Sequence, residues 1–125
     1  MGGAAVLDKE TGLVWEQSPD TAIMLWEAAC NHCYEREVAN RKGWRPPTVE
    51  ELASLVDNDN SSPTLPTDHP FSNVTTCFWS LTTYYNPTTA ARVVCFGDGS
   101  VSANNKTGTN RPIWCVRGGH GYDAY

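Results

Sequence analysis

"GWRPPTVEELASLVD", residues 43–57, carries the sharpest local signal in the chain. Pro46 and Pro47 forbid helix up to that point, because proline lacks a backbone donor and pushes the residue before it into extended geometry. Thr48-Val49-Glu50-Glu51 then fits a capping box: the Thr48 hydroxyl accepts from the amide of residue 51, and the Glu51 carboxylate reaches back. Leu52, Leu55 and Val56 form the buried stripe of a short helix that ends near Asp57.

Upstream, "TAIMLWEAACNHCYE" (21–35) reads as a second helix, with Trp26, Ala29, Cys30 and Cys33 at i, i+3, i+4 and i+7 on one inward face. Glu27, Asn31 and Glu35 point outward, and the helix fades through "NRKG", where Gly43 supplies a left-handed stop. Further back, residues 4–16 read as a hairpin of two short apolar runs, its turn closed by Gly12. Downstream, "NDNSSPTLPTDHP" is turn chemistry throughout, a surface loop. From Phe78 the chain is β-rich. Phe78–Tyr84 and Ala91–Phe96 are strands joined by "YNPTTA", Asp98-Gly99 is a tight turn leading to Val101, and Ile113–Val116 is a last strand. Residues 1–119 read as a single domain, and the tail 120–125 as flexible unless a partner holds it.

Composition narrows the function classes. A chain of 125 residues is one domain's worth, enough to bury roughly two-thirds of its unfolded surface. A net charge of -5 repels bulk nucleic acid, although Arg36, Arg41, Lys42 and Arg45 lie close together in sequence. No apolar run is long enough for a membrane span, and Met1–Ala5 has no signal-peptide character. Five tryptophans are many for this length, so some are expected to coat a binding face. Five cysteines among few lysines read as disulfide-forming in an oxidising compartment, one of them left over.

The chain resembles the Lcl C-terminal-domain-like family, a bacterial surface domain of C-type-lectin-like fold related to the formylglycine-generating enzyme. The carriers are "TGLVW" (11–15), "WEAACNHC" (26–33), "GWRPPTVEELASLVD" (43–57), "FWSLT" (78–82), "VVCFGDGSV" (93–101) and "CVRGG" (115–119), in order across nearly the whole domain. Three positions depart from the family pattern: Pro46 stands for Leu, Trp114 for Arg, and Leu81 for a second Ser. Trp114 and Leu81 point to a more apolar local surface. The resemblance implies an α+β domain, two helices packed on one twisted antiparallel sheet and stapled by disulfides, on an exported protein. Members occur on adhesins and lipoproteins, and some bind glycosaminoglycans or other host ligands. It also implies that one cysteine of the Cys30/Cys33 pair bonds Cys115, and it places Arg45 and Arg117, with Trp15, Trp26 and Trp44, in structural roles.

Cys30-Asn31-His32-Cys33 is a C-x-x-C, but it lies mid-helix, and no second cysteine pair or H-x-x-x-H completes a zinc site. Disulfide duty is the expectation for Cys30, Cys33, Cys77, Cys95 and Cys115. Cys77 and Cys95 fall at the start and end of neighbouring predicted strands, so a bridge between them fits. No pairing recreates a thiol or copper oxidase site, and no Ser-His-Asp order supports hydrolysis, so no catalytic residue is expected. Asp57-Asn58-Asp59-Asn60-Ser61 offers alternating oxygen ligands for calcium but lacks the Gly and Glu of an EF-hand; it reads as a solvated turn, and no cofactor or metal is expected.

Residues 79–111 supply strands and exposed loops rich in Tyr and Asn, types suited to adaptable recognition. Trp79, Tyr84, Tyr85, Asn86, Asn104, Asn105, Lys106 and Asn110 are the candidate ligand-binding residues. The function expected is an exported, extracellular or periplasmic, non-catalytic adhesion module recognising a glycan or a surface protein. The alternative is self-assembly into a homo-oligomer, with Tyr122 and Tyr125 of the tail docked on a neighbour.

Overall fold

A computed structural model describes residues 5–37, 42–57, 59–60, 64–66, 69–74, 76–85 and 88–118. The expected hairpin forms: β1 (Ala5–Leu7) pairs antiparallel with β2 (Leu13–Glu16), Val6 opposite Trp15. Gly12 adopts φ 77°, a left-handed conformation that costs glycine nothing, and its N–H donates to Asp8 O at 2.8 Å to close the turn.

The first helix is shorter than its periodicity predicts. It runs as α1 over Trp26–Tyr34, with Leu25 as an N-cap that makes no side-chain bond. Residues 21–25 are withheld from it because Met24 and Arg111 exchange backbone N–H···O bonds at 3.0 Å, and the Trp26 N–H goes to Lys106 O. Pairing with a distant segment takes up the donors that a first helical turn would leave unpaired. The second helix, α2 (Val49–Ala53), starts where the capping box puts it but ends at Ala53, short of the Asp57 expected, so Leu55 and Val56 lie past its end. Thr48 Oγ1 accepts from Glu51 N at 3.2 Å, and Glu51 Oε1 accepts from Thr48 N at 2.9 Å.

The β-rich half forms β3 (Cys77–Thr83), β4 (Ala90–Cys95) and β5 (Val101–Asn105), antiparallel in that order. Asn104 and Asn105 therefore lie in a strand and not in a loop. Their side chains are poor strand formers, and only the register with β4 places them there. The last strand, β6, is Val116–Gly118, later than the 113–116 expected, and it pairs with β2. The single twisted sheet of the sequence reading is thus corrected to two three-stranded antiparallel sheets, β1-β2-β6 and β3-β4-β5. They are linked where Ile113 bridges Trp79 and the Trp79 N–H donates to Pro112 O at 3.0 Å.

Both faces of the second sheet are covered. Ala91 and Val93 pack with Trp79, Trp44, Ile113 and the Ala29, Cys30 and Cys33 face of α1. Phe78, Val94 and Phe96 pack with Trp15, Trp114, and Leu52 and Leu55 near α2. Trp15, Trp44, Trp79 and Trp114 are all fully buried, so they are core and not a binding coat. The apolar surface expected of Trp114 is likewise overturned. Its ring centroid lies 5.2 Å from Trp15, 4.8 Å from Phe71 and 5.7 Å from both Phe78 and Phe96, and its Nε1–H donates to Glu16 O. Leu81 is half-buried against the α1-side core.

Two disulfides lock the frame, Cys33–Cys115 from α1 to the segment before β6, and Cys77–Cys95 across β3 and β4. One of the five cysteines was expected to be left over, and only one of Cys30 and Cys33 to bond Cys115; the free thiol is Cys30, and it is buried. Cys30 and Cys33 share one helix face, and only the three-dimensional path of residue 115 selects between them.

Candidate functional site

The β3–β4 hairpin is closed by the Tyr84 N–H donating to Ala90 O at 2.9 Å. Beyond it Tyr84 and Tyr85 stand together, ring centroids 5.0 Å apart. The Arg92 guanidinium lies 4.4 Å from the Tyr84 centroid, a cation–π contact that holds both groups in place. Tyr85 is 79% exposed, the most exposed large hydrophobic side chain among the described residues. Arg92 alternates with Ala91 and Val93 and so faces away from α1.

Lys106 gathers a second group on the α1 side. Its Nζ sits 4.1 Å above the Trp26 ring and donates to Thr83 Oγ1 at 3.0 Å. Trp26 is itself fixed by its Nε1–H on Ser80 O at 3.0 Å. Nearby, Arg111 Nε donates to Asn104 Oδ1 at 3.1 Å, and Asn110 is exposed beside it. The Asn105 Oδ1 turns back to accept from Thr107 N at 2.9 Å, which stiffens the bend after β5.

The eight residues picked from sequence therefore do not make one surface. Tyr84 and Tyr85 stand on one side of the sheet end, and Asn104 and Lys106 on the other. Trp79 is fully buried, its Nε1–H on Met24 O at 2.9 Å, and is corrected from binding residue to core. Asn86 lies outside the described residues, as do Gly119 and the tail 120–125. Sequence reasoning missed Arg92, Thr83 and Arg111; Trp26, read as core and indeed half-buried against it, also offers its ring as a platform for Lys106. One signal was available: between residues 69 and 118 the only carboxylate is Asp98, against Arg92, Lys106, Arg111 and Arg117. This half of an acidic chain is locally cationic, and Arg92, Lys106 and Arg111 form no ion pair among the described residues.

Three of the other basic residues, Arg36, Arg45 and Arg117, are occupied structurally. Arg36 Nε meets the buried Glu16 carboxylate at 2.7 Å, Arg45 grips Glu51 through two bonds of 2.8 Å, and Arg117 Nε donates to Lys42 O. Arg41 lies outside the described residues.

Burial pushes the Cys30 thiol up to about 11, with Lys106 lowering it and Glu27 raising it by smaller amounts, so it stays protonated at neutral pH. Hydrogen bonds from Ser100, its backbone N–H foremost, hold the exposed Asp98 carboxyl below its usual range by stabilising the charged form. In the sequence-read calcium loop, Asp57 Oδ1 accepts from Asp59 N at 3.0 Å and Asn60 Nδ2 donates to Leu65 O, so these side chains close their own turn. Asn58 and Ser61 lie outside the described residues. His69 Nδ1 accepts from Phe71 N.

The model of the Lcl C-terminal domain matches residues 4–117. The chain belongs to the Lcl C-terminal-domain family. In this Lcl C-terminal domain the matched span contains both helices, both disulfides and both sheets except Gly118, the last residue of β6. No curated protein matches the chain. Among the described residues of the domain no helix is long and apolar enough to cross a membrane.

Proposed function

We propose that this domain is an exported, non-catalytic binding module of C-type-lectin-like fold that recognises a glycan through the tip of the β3–β4 hairpin, as an adhesin does on a cell surface. The observation that carries the reading is Tyr85, a ring left almost fully open to solvent but set against Tyr84, which Arg92 holds from above. A pre-positioned aromatic face loses little entropy on contact, and the apolar face of a sugar ring stacks on it while Arg92 and the threonines beside it supply hydrogen bonds. Two disulfides in a chain of this size fit an oxidising, extracellular or periplasmic setting. The single free cysteine among the described residues is buried, which argues against a thiol oxidase. The test is a glycan array with the purified domain, run with calcium and again with a chelator. Binding that Tyr85→Ala abolishes supports the reading. A blank array in both conditions sinks it, and chelator sensitivity would bring Asp57 and Asp59 back as ligands.

A further inference from the structure

A different part of the molecule, away from the hairpin tip, carries an opening for a polypeptide. β1 is the edge strand of its sheet. Its Asp8 N–H donates to Leu13 O at 2.7 Å. Hydrogen-bonded pairs alternate along an antiparallel ladder, so Val6–Trp15 is the next bonded pair, and the N–H and C=O groups of Ala5 and Leu7 point away from β2. No described residue takes them up from outside the sheet. Leu7 is 46% exposed at this edge. Beside it opens a cleft of about 430 Å³, walled by Val6, Leu55, Pro66, Pro70 and Phe71. A free ladder edge next to an apolar cleft is the arrangement that accepts an extended peptide as an added strand, main chain on the edge and alternate side chains in the cleft.

Charge states the occupant. Asp8 and Glu10 line the cleft against Lys9 and His69, and a shallower groove continues from Ser54 past Thr11 and Leu13 to Glu50 and Glu51. Glu51 is held by Arg45, whereas Asp8, Glu10 and Glu50 have no cationic partner among the described residues. We propose that the β1 edge and its cleft dock an extended segment of a partner protein in which apolar residues alternate with Lys or Arg. The apolar side chains would fill the cleft, and the basic ones, on the opposite face of the added strand, would curl their long flexible stems over its open edge to the exposed carboxylates of Glu10 and Glu50.

The probe is a blocked, fluorescein-labelled hexapeptide of alternating Lys and Val, titrated by anisotropy against the whole chain, with a Glu–Val peptide as its control. The Lys–Val peptide is expected to bind, and the Glu–Val peptide at least tenfold more weakly. Glu10→Lys with Glu50→Lys weakens binding at least tenfold and leaves the thermal midpoint within a few degrees. Leu7→Pro removes an outward N–H but no bond to β2, and it abolishes binding too. Because that variant disturbs the strand, amide exchange on the wild-type chain is the independent check: the Ala5 and Leu7 amides gain protection when peptide is added. Tyr85→Ala leaves all of this unchanged, which separates the site from the hairpin. Equal binding of both peptides, or unprotected Ala5 and Leu7 amides, overturns the proposal. So does binding that appears only after residues 119–125 are deleted, or a self-associated chain that the Glu10/Glu50 variant splits into single copies; these would give the cleft to the chain's own tail or to a second copy.

Discussion

Glu16 offers the most demanding test of the frame that holds the site. It is only 1% exposed, at the end of β2, yet its carboxylate has two tasks. Oε2 meets Arg36 Nε at 2.7 Å, and Oε1 accepts the buried N–H of Cys115 at 2.9 Å, which positions the cysteine bonded to α1. Replacement by Ala removes both at once. It strands the Cys115 amide and leaves the Arg36 guanidinium, whose side chain is 30% exposed, without its carboxylate; because only half of the pair is buried, the cost falls toward the lower end of about 3–5 kcal/mol. Glu16→Gln keeps an oxygen for Cys115 and loses only the charge, a cost of about 1–2 kcal/mol. Arg36→Ala leaves the carboxylate charged and buried with a single donor, about 2–4 kcal/mol, and adding Glu16→Gln to it recovers about 1 kcal/mol because no buried charge remains. Urea unfolding of the four variants reads these differences, and at roughly 3–5 °C per kcal/mol for a chain of this size the Ala variant melts about 10–20 °C lower. If Gln costs as much as Ala, or the double variant is no better than Arg36→Ala alone, the assigned roles of the two oxygens are wrong.

Three further outcomes follow from the same geometry. Replacing Cys33 and Cys115 by Ala should cost more than replacing Cys77 and Cys95. The first pair closes an 82-residue separation, which chain entropy puts at about 4.5 kcal/mol, and the second an 18-residue one, at about 3 kcal/mol, across strands already paired at those residues; denaturant midpoints that rank the pairs the other way refute this. Cys30 should resist Ellman's reagent in the native state at neutral pH and titrate as one thiol when unfolded. Because its folded value is raised above the unfolded 9.0 to about 11, the stability it gives is complete below pH 9 and declines as pH rises through 11. A Cys30→Ala variant whose stability falls just as steeply over that window would show that another group is responsible. Thr48→Ala should lower stability by about 1 kcal/mol through loss of the bond to Glu51 N, and Thr48→Ser should restore most of it.

The sequence by itself determined what is local. The Thr48–Glu51 box, the Gly12 turn, the β3 and β4 strands and the cysteine bridge between them were legible because each is decided by neighbours in the chain or by the alternation of one strand pair. It also carried the family, through motifs spread in order across the domain. Only the tertiary structure decided the rest. The first turn of α1 was lost to a pairing between Met24 and Arg111 that no window of sequence contains. β5 exists because β4 offers Val101–Asn105 a ladder, overriding the turn preference of two asparagines. Cys33 and not Cys30 bonds Cys115, a choice between two residues on one helix face that composition cannot make. The candidate face divided for the same reason. Tyr85, Arg92 and Lys106 are near in sequence, but the side of a pleated strand on which each falls depends on register, and register is fixed by the partner strand and the core beneath it.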